Sequence, residues 1–274
     1  MGSATYVSDS VGNAVGYSFA SESGAYAVSS RSEGKANSTA NAQYLHTLTN
    51  TSAVAQQYTM SFHIYHGYLD TLRTTYPDAG PLQSGETLGA SYLARVLVGG
   101  QTLFNSQASI TRGSAGATWT KSGTDLNAGD DGADGYYSWN DAYFTLDLGI
   151  LAAGASIDVA AQVGTATTAD VGIYTYTPSG CGYGGYGEYG GYGGNTDSVE
   201  IGNEPCPPVD AFRGIGQAFY GDPVDFSGSA GATSNDPITF ANRPATVPEP
   251  ASLALVALGL AAAGVTRRRR TRPA

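Results

Sequence analysis

The chain has 274 residues and a net charge of −10, which becomes −14 over residues 1–247 because the remaining tail holds five arginines against one glutamate. This acidity disfavours nucleic acid and anionic lipid as partners. Charged residues make up 13% of the chain, and the abundant Gly, Ser, Thr, Ala and Tyr favour β-structure with small-residue turns over helix.

Apolar and polar residues alternate along much of the chain with the two-residue period of β-strands. The clearest segment runs from Leu88 to Val98, where every even position is apolar, and Gly99-Gly100 then supplies a hairpin turn. The turn at Ala153-Gly154-Ala155 likewise precedes apolar odd positions from Ile157 to Val163. The predicted strands are residues 6–30, 40–48, 54–66, 88–98, 101–104, 136–148, 157–163 and 211–220.

Helical periodicity is not visible before Ala251, and parallel strands would need crossover helices. We therefore predict that residues 1–246 form an all-β domain, an antiparallel β-sandwich of jelly-roll or Ig-like kind. In the segment 54–66, alternation places His66 on one face with Tyr58, Met60, Phe62 and Ile64, and both histidines of this segment are expected to be partly buried or at a rim. His63 is predicted to face the other way, so the two histidines are not expected to share a metal ion.

A carboxylate cluster on a Gly-rich stretch precedes the predicted strand 136–148. Its oxygen-bearing side chains are Asp125, Asn127, Asp130, Asp131 and Asp134. Hard oxygen ligands on such a loop are typical of calcium sites, although the spacing is not that of an EF-hand. A solvated acidic loop without a metal is the alternative.

Three aromatic residues, Tyr136, Tyr137 and Trp139, follow the acidic cluster directly. Aromatic platforms beside a metal loop are a common way to bind sugars on β-sandwiches. The combination therefore indicates a candidate ligand site for a calcium-assisted carbohydrate-binding module. Calcium is the one cofactor that the sequence suggests.

Residues 180–194 form a low-complexity Gly/Tyr-rich segment, which we predict to be a mobile surface loop. Cys181 and Cys206 bracket most of it and are the chain's two cysteines. In an oxidising exterior such a pair normally joins, so we predict a disulfide between them. Two unpaired thiols are the cytoplasmic alternative.

The tail, residues 247–274, combines three features. Pro248, Glu249 and Pro250 come first, an uncharged run from Ala251 to Thr266 follows, and the chain then reaches the cluster Arg267, Arg268, Arg269 and Arg270. A 16-residue helix would be about 24 Å long, short of the ~30 Å hydrocarbon core, so it would span a membrane only marginally. The arginines favour a cytoplasmic C-terminus.

This ordered tail resembles the PEP-CTERM sorting signal of Gram-negative bacteria. The resemblance implies an inner-membrane exosortase as a partner, a transient anchor by the C-terminal transmembrane helix, and release or transfer to the cell surface and its exopolysaccharide. Short pieces of the body, among them the segment from Tyr58 to Gly67, resemble a β-domain that such proteins often carry. That second resemblance brings no catalytic residues with it.

An exported protein is expected to begin with a basic and then an apolar region, and Met1 to Tyr6 provide neither. We therefore expect that a signal peptide was removed or that the start codon was assigned too late.

The sequence contains no recognisable catalytic motif, and the Gly-x-Ser-x-Gly elbow of hydrolases is absent. We therefore predict a non-catalytic protein of the cell surface or biofilm matrix, sorted by an exosortase and associated with exopolysaccharide. The alternatives are a calcium-assisted carbohydrate binder, a self-associating filament subunit assembled by β-strand pairing, and a polysaccharide hydrolase.

Overall fold

The structure is a computed structural model and describes residues 2–8, 11–20, 26–71, 80–126, 134–177, 208–221 and 238–245. Within these ranges the regular structure is all β, and every strand pairing is antiparallel, which confirms the predicted class. The strands are β1 (Gly2–Ser8), β2 (Gly12–Ala20), β3 (Tyr26–Thr49), β4 (Gln56–Ile64), β5 (Gly67–Asp70), β6 (Thr87–Val98), β7 (Gln101–Gly113), β8 (Gly116–Gly123), β9 (Tyr136–Trp139), β10 (Ala142–Leu151), β11 (Ser156–Asp170), β12 (Ile173–Tyr176), β13 (Val209–Phe212), β14 (Ile215–Gly221) and β15 (Thr239–Pro244).

The described strands form one large curled sheet and two small sheets. The large sheet has the order β8-β7-β6-β11-β3-β14-β5-β9, and β2 joins it at β3 and carries β1. The small sheets are β10-β4-β15 and β12-β13.

Strand β3 is long enough to belong to two layers. Its C-terminal part, Lys35 to Thr49, pairs with β11, whereas its N-terminal part pairs with β2 and β14. Between them Gly34 adopts a left-handed φ of 68°, and the Lys35 N–H donates to the Val11 carbonyl at 2.9 Å. The sequence analysis predicted two separate strands, 6–30 and 40–48, where the structure has the continuous strand β3. The polar residues around Gly34 interrupt the apolar alternation and hide this continuity.

The core lies between a first layer, β8-β7-β6-β11 with the C-terminal part of β3, and a second layer that contains β14, β5, β9 and the sheet β10-β4-β15. The rings of Phe62 and Phe104 meet across it at 5.2 Å, and those of Tyr92 and Trp139 at 4.5 Å. Alternation explains this packing, since each even residue of β6 from Leu88 to Val98 is buried. The finer designation as jelly-roll or Ig-like stays a prediction.

The hairpin between β6 and β7 forms where the sequence predicted it. Gly99 and Gly100 have φ values of 55° and 82°, as a two-residue primed turn requires. The second strand of this hairpin is longer than predicted, since β7 continues beyond Phe104 to Gly113.

One antiparallel ribbon is interrupted at the same level in both of its segments. The predicted strand 54–66 ends as β4 at Ile64, and β5 begins beyond it at Gly67. The predicted strand 136–148 is split into β9 and β10, with Ile64 opposite Ala142 before the break and Gly67 opposite Trp139 after it. The bend ends the alternation after Ile64, and the two histidines differ in burial. His63 is 7% exposed, because neighbouring tyrosine rings cover it, whereas His66 turns towards solvent.

The described part of the chain contains no helix that is long and apolar enough to cross a membrane. The predicted Gly/Tyr-rich loop 180–194 and the sorting tail 247–274 lie outside the described residues.

Candidate functional site

The outer face of the first layer carries short polar side chains in lateral rows. The rows exist because residues that pair across β8, β7, β6, β11 and β3 point to the same side of the sheet. One row consists of Ser122, Gln107, Leu93, Gly164 and Asn41. The next row consists of Thr120, Ser109, Ser91, Ala166 and Thr39.

These two rows line a groove with a volume of about 510 Å³. The groove is deepest over the central strand β11, because the residues that β11 contributes there, Gly164 and Ala166, have little or no side chain. A Cβ atom built on Gly164 would lie 2.5 Å from Oδ1 of Asn41, so a larger residue would push the groove wall aside. The small residues of β11 therefore create the concavity.

The groove walls offer hydroxyl and amide groups in pairs. The hydroxyls of Ser109 and Thr120 are 2.9 Å apart, and Nε2 of Gln107 donates to Oγ of Ser122 at 2.6 Å. A hydroxyl can donate one hydrogen bond and accept two, so these pairs keep capacity for a ligand that is itself rich in hydroxyls.

The groove has little net charge. Lys121 is among the lining residues, but its side chain lies on the core-facing side of β8, where it forms an ion pair with Asp125 and stands over the Trp119 ring at 5.5 Å. The hydrogen bond to the Asp125 carboxylate raises the pKa of Lys121, which keeps the pair ionised and mutually neutralised. The arrangement suits a neutral, polar ligand better than a charged one.

The predicted calcium ligands are only partly described. The Asp125 carboxylate accepts a hydrogen bond from Nζ of Lys121. Asp134 is exposed, and its backbone carbonyl accepts a hydrogen bond from Nη1 of Arg112 at 2.7 Å. Asn127, Asp130 and Asp131 lie outside the described residues. In the ranges that are described, His, Cys, Asp and Glu form no group of three that could hold a metal ion. The calcium site stays a prediction.

The structure contradicts the predicted aromatic platform. Tyr137 and Trp139 are each 1% exposed, since odd positions of β9 face the core, and Nε1 of Trp139 donates to the Tyr65 carbonyl at 3.0 Å. Burial also raises the pKa of Tyr137. Tyr136 alone of the three is partly exposed, and it stacks against Tyr68 at 6.1 Å.

Sequence reasoning missed the groove, although one signal was present. Alternation in β6 placed Ser91 and Arg95 on the outer face, but it could not show which residues of the other strands lie beside them. The lateral register of five strands is needed to see the rows. The predicted disulfide partners Cys181 and Cys206 lie outside the described residues, and their pairing stays a prediction.

Comparison with known protein families matches residues 246–270 to the PEP-CTERM protein-sorting motif. The matched range contains Pro248, Glu249, Pro250 and the run Arg267 to Arg270. A comparison with curated proteins found none with significant sequence similarity to the chain.

Proposed function

Because the chain carries the PEP-CTERM protein-sorting motif, and is therefore an exosortase substrate that is exported, we propose that its β-domain is a non-catalytic matrix protein that binds a neutral exopolysaccharide. In this role the tail delivers the domain to the outside of the cell. The domain then holds the polymer in the groove of the first layer.

The groove is the observation that carries the proposal. A row across five strands is ~19 Å long, at about 4.8 Å per strand, which is enough for a short run of sugar units. Its walls present hydroxyl and amide groups, which match the alternating donors and acceptors of sugars, and Ala166 and Gly164 leave room above the floor.

Charge supports a neutral polymer over an acidic one. The first 247 residues carry −14, and the side chain of the neighbouring cation, Lys121, lies on the other side of β8 and is neutralised by Asp125. A polyanion would be repelled by the domain as a whole. We therefore expect binding to depend weakly on salt concentration.

The groove lining supports binding rather than hydrolysis. Glycosidases generally place two carboxyl groups across the scissile bond. The described lining residues of this groove are hydroxyl, amide, small or apolar apart from Lys121.

Two groove variants and one control test the proposal. Ala166→Leu fills the floor without removing a hydrogen bond, and Gln107→Ala removes one amide from the wall. Gln101→Ala is the matched control, because Gln101 is also exposed on β7 but lies outside the groove. Affinity electrophoresis in gels containing neutral polysaccharides of the producing strain should retard the wild type and the control.

We expect Ala166→Leu to lose most of the retardation and Gln107→Ala to bind about tenfold more weakly, as one net hydrogen bond implies. A wild-type protein that no neutral polysaccharide retards, or an Ala166→Leu variant that binds normally, would contradict the proposal. Repeating the experiment with a chelator tests the calcium-assisted version.

A filament assembled by strand pairing has weaker support. Among the described strands, β8 and β9 end the large sheet, β1 pairs only with β2, and β10 and β15 end the three-stranded sheet. However, β8 carries Lys121, and β10 is interrupted by a register shift at Gly149, and both features discourage edge-to-edge pairing.

A further inference from the structure

The bend of the ribbon brings together polar groups that lie far apart in sequence. The Asp141 carboxylate accepts a hydrogen bond from the backbone N–H of His66 at 2.6 Å. Its oxygens also lie 3.7 Å from Nε2 of His63 and 3.6 Å from Nδ1 of His66. The bend therefore fixes a half-exposed carboxylate beside two imidazoles.

Beside this carboxylate, three rings form a cluster in which two are stacked. The ring of Tyr143 lies parallel to that of His63, with centroids 4.1 Å apart and planes 4° apart, and Tyr65 covers His63 from another side at 4.1 Å. The His63 side chain is 4% exposed, whereas Tyr143 is 72% exposed. The buried His63 ring thus packs against one face of the exposed Tyr143 ring and fixes its orientation.

The second face of the Tyr143 ring points away from β4, the strand that carries His63. Within the described residues, β10 is the outer strand of its sheet, so no described strand pairs on that side. Farther along the same face of β10, the Thr145 hydroxyl lies 2.9 Å from that of Ser61. Residues two apart on a strand are ~7 Å apart, so polar groups continue directly from the ring.

We propose that Tyr143 is the stacking platform of a second carbohydrate subsite, on the layer opposite the groove. The subsite takes a neutral, equatorially substituted hexopyranose whose flat C–H face packs on the ring, while Asp141 and Thr145 bind its hydroxyls. This inference rests on the proposed function and extends it. With one site on each layer, a single domain joins two polysaccharide chains.

A second copy of the chain fits this surface less well than a sugar. Pairing on β10 is interrupted because Gly149 has a φ of 88° and the register shifts between Asp147 and Gly149. Bulges and outward charges on an outer strand are features that prevent pairing with another strand.

Titration calorimetry with cellohexaose and chitohexaose tests the subsite on the full chain. We expect two binding sites per wild-type chain for at least one of these probes, and one remaining site in Tyr143→Ala. Tyr143→Phe keeps the ring and should keep both sites. Ile150→Ala is the control, because Ile150 is also on β10 and 58% exposed but lies away from the stack.

Light scattering of a soluble glucomannan provides the second readout. The wild-type protein should raise the scattering by joining chains, and either Tyr143→Ala or Ala166→Leu should abolish this effect while leaving one binding site. If Tyr143→Ala leaves both stoichiometry and scattering unchanged, the subsite is refuted but the groove stands. If the wild type binds neither hexasaccharide, the subsite and the proposed function both fail.

Self-association is the remaining outcome. If Tyr143→Ala removes a concentration-dependent dimer in sedimentation analysis while hexasaccharide binding stays as in the wild type, the occupant of this surface is a second copy, and the carbohydrate subsite is overturned.

Discussion

Gly34 is the position where we expect a single added methyl group to destabilise the domain strongly. It has a φ of 68°, and a Cβ built there would lie 2.4 Å from the Val11 carbonyl oxygen and 2.5 Å from Cε1 of Phe212. Left-handed backbone costs an L-residue about 1–2 kcal/mol, and overpacking adds about 1–3 kcal/mol. Gly34→Ala is therefore expected to lower the free energy of unfolding by about 2–5 kcal/mol.

Gly100→Ala separates the cost of left-handed backbone from the cost of overpacking. Gly100 has a φ of 82°, but no atom lies within 4 Å of the position that a Cβ would take there, so about 1–2 kcal/mol is expected. Urea unfolding, followed by circular dichroism and the fluorescence of Trp119 and Trp139, measures both losses. Equal losses in the two variants would refute the reasoning, because they would mean that nothing packs against the corner of β3.

Three further predictions concern pH, an ion pair and the tail. Burial raises the pKa of Tyr92 above its ordinary value of 10.0, so this hydroxyl ionises in the unfolded chain before it ionises in the folded one. The free energy of unfolding should therefore keep its full value below pH 10 and fall above it. In Tyr92→Phe this fall should be less steep. Burial alone would raise the pKa of Glu86, but two backbone N–H groups and Arg213, 3.2 Å away, lower it overall. Glu86→Gln should therefore lose about 1.5–3 kcal/mol at neutral pH in urea unfolding, and less as the pH falls below 4.5. Deleting residues 248–274 should abolish surface delivery in cell fractionation, and unchanged delivery would argue against sorting by the tail.

Local alternation was sufficient to predict strands that bury one face. In β6 and β11 the apolar residues recur at every second position, because each strand has one side in the core and one in solvent. The turn at Gly99-Gly100 was predictable for a similarly local reason, since glycine tolerates positive φ.

Features that depend on distant partners were not predictable in this way. The strands through Ile64 and Ala142 bend together because they pair with each other, and nothing in either segment alone marks the bend. Tyr137 and Trp139 looked like surface aromatics because they follow an acidic segment, yet their strand joins the core. The groove requires five strands in register, and the Tyr143 platform requires His63 behind it.

The end of β15 has a consequence for maturation. Pro244 is the last residue paired with β4, the Ala245 N–H still donates to the Ala55 carbonyl at 3.1 Å, and the matched motif begins at residue 246. The described domain therefore ends directly before the sorting motif, with almost no spacer between them. Because β15 pairs with β4 alone, at the edge of its small sheet, we expect that weaker pairing of β15 would make the motif more accessible to the exosortase and speed its processing.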